Sequence, residues 1–158
     1  MANGVFNIAK GRAVELYNRV QTNDPADAAL VVVALQAAVA DATLEDFDDL
    51  STLLADASNT EADFTNYARI TLTDTDLTAI VPDDNNNRFD VDIPDQTYIS
   101  AGGAANNSLV KLLVCYDADT TGGDDTAIIP LTHHDFVTTT DGNNLQVTIN
   151  AAGFFRAT

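Results

Sequence analysis

The run Leu112-Leu-Val-Cys-Tyr-Asp117-Ala-Asp119-Thr-Thr121 places two carboxylates and a hydroxyl at alternate positions directly after an apolar stretch. That order suits phosphoryl transfer. The first Asp attacks phosphorus, the second handles the proton, and a Mg²⁺ ion neutralises charge. The same chemistry requires a later lysine and further acids carried on βα units. After Asp119 only 39 residues follow, none is lysine, and their pattern is that of strands. No phosphotransferase is expected, and no catalytic residue is assigned.

Calcium is the second chemistry these acids suggest. Asp117, Asp119, Thr121, Gly122 and Asp125 occupy the first, third, fifth, sixth and ninth places of a calcium-binding loop, which makes Asp117, Asp119 and Asp125 the metal candidates. The twelfth place, which needs a bidentate Glu, is Ile128, and flanking helices are not indicated. A plain Asp/Gly turn explains the residues better. Asp83, Asn85 and Asn87 begin a similar pattern that Arg88 interrupts where glycine is required. His133 and His134 are adjacent, so on a strand they face opposite sides and do not chelate one ion together. Ser51, Ser58, Ser100 and Ser108 are available, but no G-x-S-x-G elbow and no phosphate-cradling glycine loop are present. Cys115, the single cysteine, lies in an apolar run that favours a buried, inert thiol and excludes a disulfide framework within one chain. No cofactor is expected.

The charge balance narrows the class further. The 158 residues carry 24 acids and seven bases, a formal charge of −17, and 21 of the acids are Asp. Asp favours turns and caps where Glu favours helix faces, so the bias suits a loop-rich β protein. Such a field repels nucleic acid and anionic membranes, and neither is expected as a partner. No apolar run approaches membrane-spanning length, and residues 1–6 lack the charged start and apolar stretch of a signal peptide. Lys10, Arg12 and Arg19 fall in the first 20 residues against Glu15 alone, while four bases face 23 acids from there on. One reading is a solvated helix face. The sharper reading is an anchor on an acidic partner, with Phe6, Leu16 and Tyr17 as apolar contacts beside Lys10, Arg12 and Arg19.

These residues must be positioned by regular elements. Phe6, Ala9, Ala13, Leu16, Tyr17 and Val20 recur at helical spacing and predict an amphipathic helix over roughly 6–20, with a strand as the alternative that the Val14/Leu16 alternation allows. Residues 29–35 form a continuous Val-rich run and predict a buried strand. Leu44, Phe47, Leu50 and Leu54 mark a second helix, with Thr43 as its N-cap. Beyond Tyr67 short strands are expected near 67–72, 89–93, 97–101, 109–116, 127–131, 135–138 and 145–149, with a helical turn in 74–80 and turns at 83–87, 117–125 and 141–142. The strand at 109–116 should be central. The expected fold is mainly β (α+β): a β-sandwich or jelly-roll-like module over 61–158, with a helix-strand-helix segment over 1–60 packed on the same core.

In this order the segments resemble small virion structural proteins of tailed bacteriophages, the head decoration, head-fibre and tail-associated group. An N-terminal helix precedes the strand at 29–35. Asn66-Tyr67-Ala68-Arg69 is similar to a Gly-Tyr-Ala-Arg-type segment, and Phe89-Asp-Val-Asp-Ile-Pro94 to a strand-then-proline segment. Tyr116-Asp117-Ala118 with Gly122-Gly123 looks like a central strand and its glycine turn, residues 127–132 like the next strand, and Gly153-Phe-Phe-Arg156 like the closing segment. The resemblance implies a non-enzymatic virion protein made in the host cytoplasm, foremost a capsid decoration or cement subunit. Its implied partners are the major capsid protein or neck and tail subunits, and it implies a homo-oligomer. A neck, collar or tail-associated protein is the alternative. A receptor- or carbohydrate-binding module is a second, which a chain with no Trp and four Tyr supports little.

Overall fold

In the computed structural model, which describes residues 3–150 and 152–158, the chain is a mainly-β α+β protein. Its centre is set by one strand, β2 (Ala29–Ala37), whose first seven residues are all buried. Unbroken apolar composition requires cover on both faces. β2 pairs antiparallel with β7 (Ser108–Asp117) on one side, and with β3 (Thr60–Glu61) and β4 (Ile70–Leu72) on the other. β7 in turn pairs with β8 (Ile129–Thr139), and β1 (Gly4–Val5) lies outside β8. Residues from 1–60 and from 61–158 therefore share one antiparallel sheet and one apolar core.

Register assigns the faces. Val31, Val33 and Leu35 stand beside Cys115, Leu113 and Lys111, and Leu113 stands beside His133. This face is covered by the 3₁₀ turn Asn7–Ala9 and by α2 (Asp41–Leu44), whose Asp41, with Glu45 just after it, reaches Lys111 and His133; α3 (Leu50–Ala55) follows. Val32, Leu112, Val114 and His134 point to the opposite face. There two ribbons close the layer, β5 (Phe89–Val91) with β10 (Phe155–Ala157), and β6 (Gln96–Tyr98) with β9 (Leu145–Val147). α1 (Ala13–Gln21) lies on the same side, with Tyr17 6.4 Å from Phe154 between ring centroids.

Three sequence expectations need correction. The helix expected over 6–20 is a 3₁₀ turn at Asn7–Ala9 followed by α1, because Gly11 at φ +83° takes a left-handed conformation that interrupts the hydrogen-bond ladder. The helix expected from Thr43 is two pieces. Thr43 lies inside α2, and Asp49 caps α3 by accepting from the Thr52 N–H at 2.8 Å, a role for which Asp competes better than for a helix interior. The two strands expected at 127–131 and 135–138 are one strand, β8, in which His133 and His134 continue the pairing with Leu113 and Leu112. Register irregularities beside Val114/Cys115 and between Leu109 and Lys111 bend it. β1, β3 and β10 are too short to leave a periodic signal.

Phe6 is wholly buried and meets the His133 ring edge-on at 5.7 Å. Phe6→Ala should destabilise the protein by about 3–5 kcal/mol through lost burial and the residual cavity. Urea denaturation of the variant against wild type measures this, and a loss below about 1 kcal/mol would show that the N-terminal segment is not part of the core.

Candidate functional site

The basic N-terminal segment does not form the two-part anchor that the sequence suggests. Phe6, Leu16 and Tyr17 are buried in this chain's own core, at 0, 3 and 0% exposure. The spacing that suggested a contact stripe is instead the inward face of α1 and of the turn before it. Lys10, Arg12 and Arg19 are exposed. Lys10 Nζ donates to Asn7 Oδ1 at 2.7 Å and faces Glu45 at 3.5 Å, and Arg19 Nε pairs with Glu15 at 2.9 Å.

The Asp-rich turn is held by its own backbone. Asp117 Oδ1 accepts from the Asp119 N–H, and Asp119 Oδ1 accepts from the Thr121 N–H and hydroxyl. These bonds hold the Asp119 carboxyl below the usual range. Asp125 turns away to Arg69, which donates to its two oxygens at 2.6 and 2.9 Å. The three calcium candidates therefore do not converge. Among the described residues, no group of three or more His, Cys, Asp or Glu is placed to hold a metal ion. Cys115 is fully buried, and desolvation pushes its thiol far up.

Lys111, which no sequence motif singles out, is the one charge within 109–116 of the central strand. It is wholly buried, with Nζ 2.7 Å from Asp135 Oδ1 and 2.9 Å from Asp41 Oδ1. Burial pushes the ammonium pKa down, but the bonds to Asp135 and Asp41 outweigh that and hold it above its ordinary value. His133 stands beside it, Nδ1 3.5 Å from Nζ and Nε2 3.3 Å from Glu45 Oε1. Gly4 crosses directly over this imidazole, and a side chain there would overlap both His133 and Glu45. The cluster thus fastens β1, α2 and its following residue, β7 and β8 at one point. The available signal was a lysine at an inward position of an otherwise apolar strand, which demands buried acidic partners. Arg69 is a second such junction. It grips Glu61 through Nε and Nη2 at 2.8 and 2.7 Å as well as Asp125, and so ties β3 to the turn before β8.

A concavity lies on the opposite face. A half-open cleft of about 480 Å³ separates Val32, Leu112, Val114 and His134 of the sheet from Ile93, Val147 and Phe154, with Asp135 and Arg156 also on its wall. Its walls are mostly apolar. Desolvation, His133 and Lys111 together lower the His134 imidazole to about 4, so the ring lining the cleft is neutral at pH 7. Its Nε2 lies 2.8 Å from the Thr132 hydroxyl. Thr132, whose hydroxyl pairs with His134, does not itself line the cleft; the described lining is an apolar floor with a polar rim of Asn3, Gln96, Asp135, Asn150 and Arg156. No known family model, curated protein or solved structure matches the chain.

Lys111→Met should destabilise the fold by about 3–5 kcal/mol, because Asp41 and Asp135 lose their shared cation. A denaturation series at pH 7 tests this, and an unchanged midpoint would show the cluster to be energetically neutral. His134 gives a pH effect with a definite sign. The unfolded chain takes a proton near pH 6.5 that the folded chain refuses until about pH 4. Stability therefore falls as pH drops through that window, by about 2–3 kcal/mol at its lower end. In His134→Gln that slope between pH 6.5 and 4 should be shallower by one proton; equal slopes would refute the half-buried neutral imidazole.

Proposed function

We propose that this chain is a non-enzymatic structural subunit of a tailed-phage virion, in the first place a capsid decoration or cement protein. The observation that carries the reading is the use to which the reactive side chains are put. Lys111 is committed to Asp41 and Asp135, Arg69 to Glu61 and Asp125, and Asp117, Asp119 and Asp124 to the hydrogen bonds of their own turns. The groups from which a phosphotransferase or a calcium site would be built serve to stiffen loops. A subunit whose task is to sit rigidly on a particle needs such loops. The resemblance to small virion proteins supplies the setting, and the acidic solvated surface supports a part that faces solvent. No helix among the described residues is long and apolar enough to cross a membrane.

Two measurements test the reading. The protein should not hydrolyse a generic phosphate ester with or without Mg²⁺; metal-dependent turnover abolished by Asp117→Asn would overturn it. In purified particles the chain should be present at tens to hundreds of copies relative to the major capsid protein on a quantitative gel. A few copies confined to tails would move it to the neck or tail, and absence from particles would remove the virion role.

A further inference from the structure

The cleft and the outer half of β8 together form a site for a strand. β1 reaches only Thr132 and His133, and among the described residues no other strand lies on that side of β8. Residues 134–139 therefore have β7 on one side, and on the other no strand among the described residues. The Asn3 side chain occupies one point of that edge, where Oδ1 accepts from the Asp135 N–H at 2.9 Å. Beyond it Phe136, Val137, Thr138, Thr139 and Thr140 carry no charge, and Val137 is 78% exposed. Open strand edges bind extended backbone, and natural proteins usually guard them with charge or proline. Here the apolar cleft begins at the same edge, since Asn3, His134, Asp135 and Phe136 all line it.

We propose that this edge and the mouth of the cleft take an extended segment of a different virion protein, which adds to β8 as a further strand and seats alternate apolar side chains against the half-buried Phe136, Ile149 and Phe155. The proposal rests on the assembly role above for the source of the segment. The edge specifies extended backbone, and the cleft specifies apolar side chains at alternate positions. The formal charge of −17 specifies lysine or arginine flanking the inserted stretch and disfavours a second copy of this chain.

The probe is a short fluorescein-labelled peptide of alternating valine and threonine with two lysines at each end, tested on the intact chain. A scrambled peptide of the same composition and a version with glutamate for lysine are the comparisons. Saturable binding by the alternating peptide, with slowed amide exchange confined to 134–139, is the expected result. Val137→Lys, an exposed position at which the fold is not at stake, should weaken binding roughly tenfold or more. Equal binding of the scrambled peptide would reduce the effect to charge attraction and overturn the proposal. So would absence of binding, unchanged affinity in Val137→Lys, or sedimentation showing that copies of the chain already fill the edge by self-association. Particle analysis keeps the two readings apart. Peptide binding by a protein absent from particles supports the strand site and removes only the virion role. Presence in particles without peptide binding removes only the strand site.

Discussion

With 24 acids and seven bases, the fold depends on making each interior cation serve more than one carboxylate. Lys111 holds Asp41 and Asp135, Arg69 holds Glu61 and Asp125, and Arg88 lies 3.2 and 3.0 Å from Asp83 and Asp90. Lys111 and Arg69 take their acids from separate segments and so join parts of the chain that repulsion would separate, whereas Arg88 serves the two acids beside its own turn. The arrangement is strongest where water is least. Lys111 is fully enclosed, and its loss would leave two neighbouring carboxylates without the cation they share. Arg88 is more open to solvent, and its pairs contribute correspondingly little.

Several of the remaining acids are stabilised locally, by backbone dipoles in place of cations. Asp56, Asp117, Asp119, Asp124 and Asp141 each accept the N–H two residues on, and Asp49 caps α3. This explains why Asp outnumbers Glu sevenfold, since the shorter side chain reaches its own turn. The same bonds account for the lowered carboxyls of Asp119, Asp124 and Asp141. A surface built in this way is acidic without being loose.

Much of the architecture was legible because strands leave local traces. The Val-rich run at 29–35, the central strand at 109–116 and the turn at 83–87 all stand where composition and alternation put them. The opposed His133 and His134 follow from strand period alone. The helical stripe Phe6, Leu16 and Tyr17 was legible as amphipathic, but periodicity does not say whether an apolar face meets its own sheet or another protein. Burial settles that for the described chain. Lys111 was hidden for a different reason. Its partners lie 70 residues before and 24 after it, and only the pairing of β7 with β8 and the fold of α2 over the sheet bring them together. The cleft was equally invisible, being a gap between elements and not a property of any one.

The charge distribution also bears on how such a protein avoids the wrong contacts. Sheet edges invite pairing, and most of this sheet's edges are closed by construction: β3 and β4 share the outer side of β2, and β1 covers the first half of β8. The exposed remainder of β8 is bent by the irregularity opposite Leu109 and Lys111, and the Asn3 side chain caps one of its amides. Its four uncharged residues, 136–139, would be an aggregation hazard in a neutral protein. In this one the formal charge of −17 opposes the approach of another copy at long range, while leaving the edge accessible to a segment of opposite sign. Long-range repulsion therefore supplies a discrimination that the uncharged edge cannot supply for itself. That discrimination weakens as salt shortens the reach of the field, which makes ionic strength the variable that would separate selective strand capture from indiscriminate edge pairing.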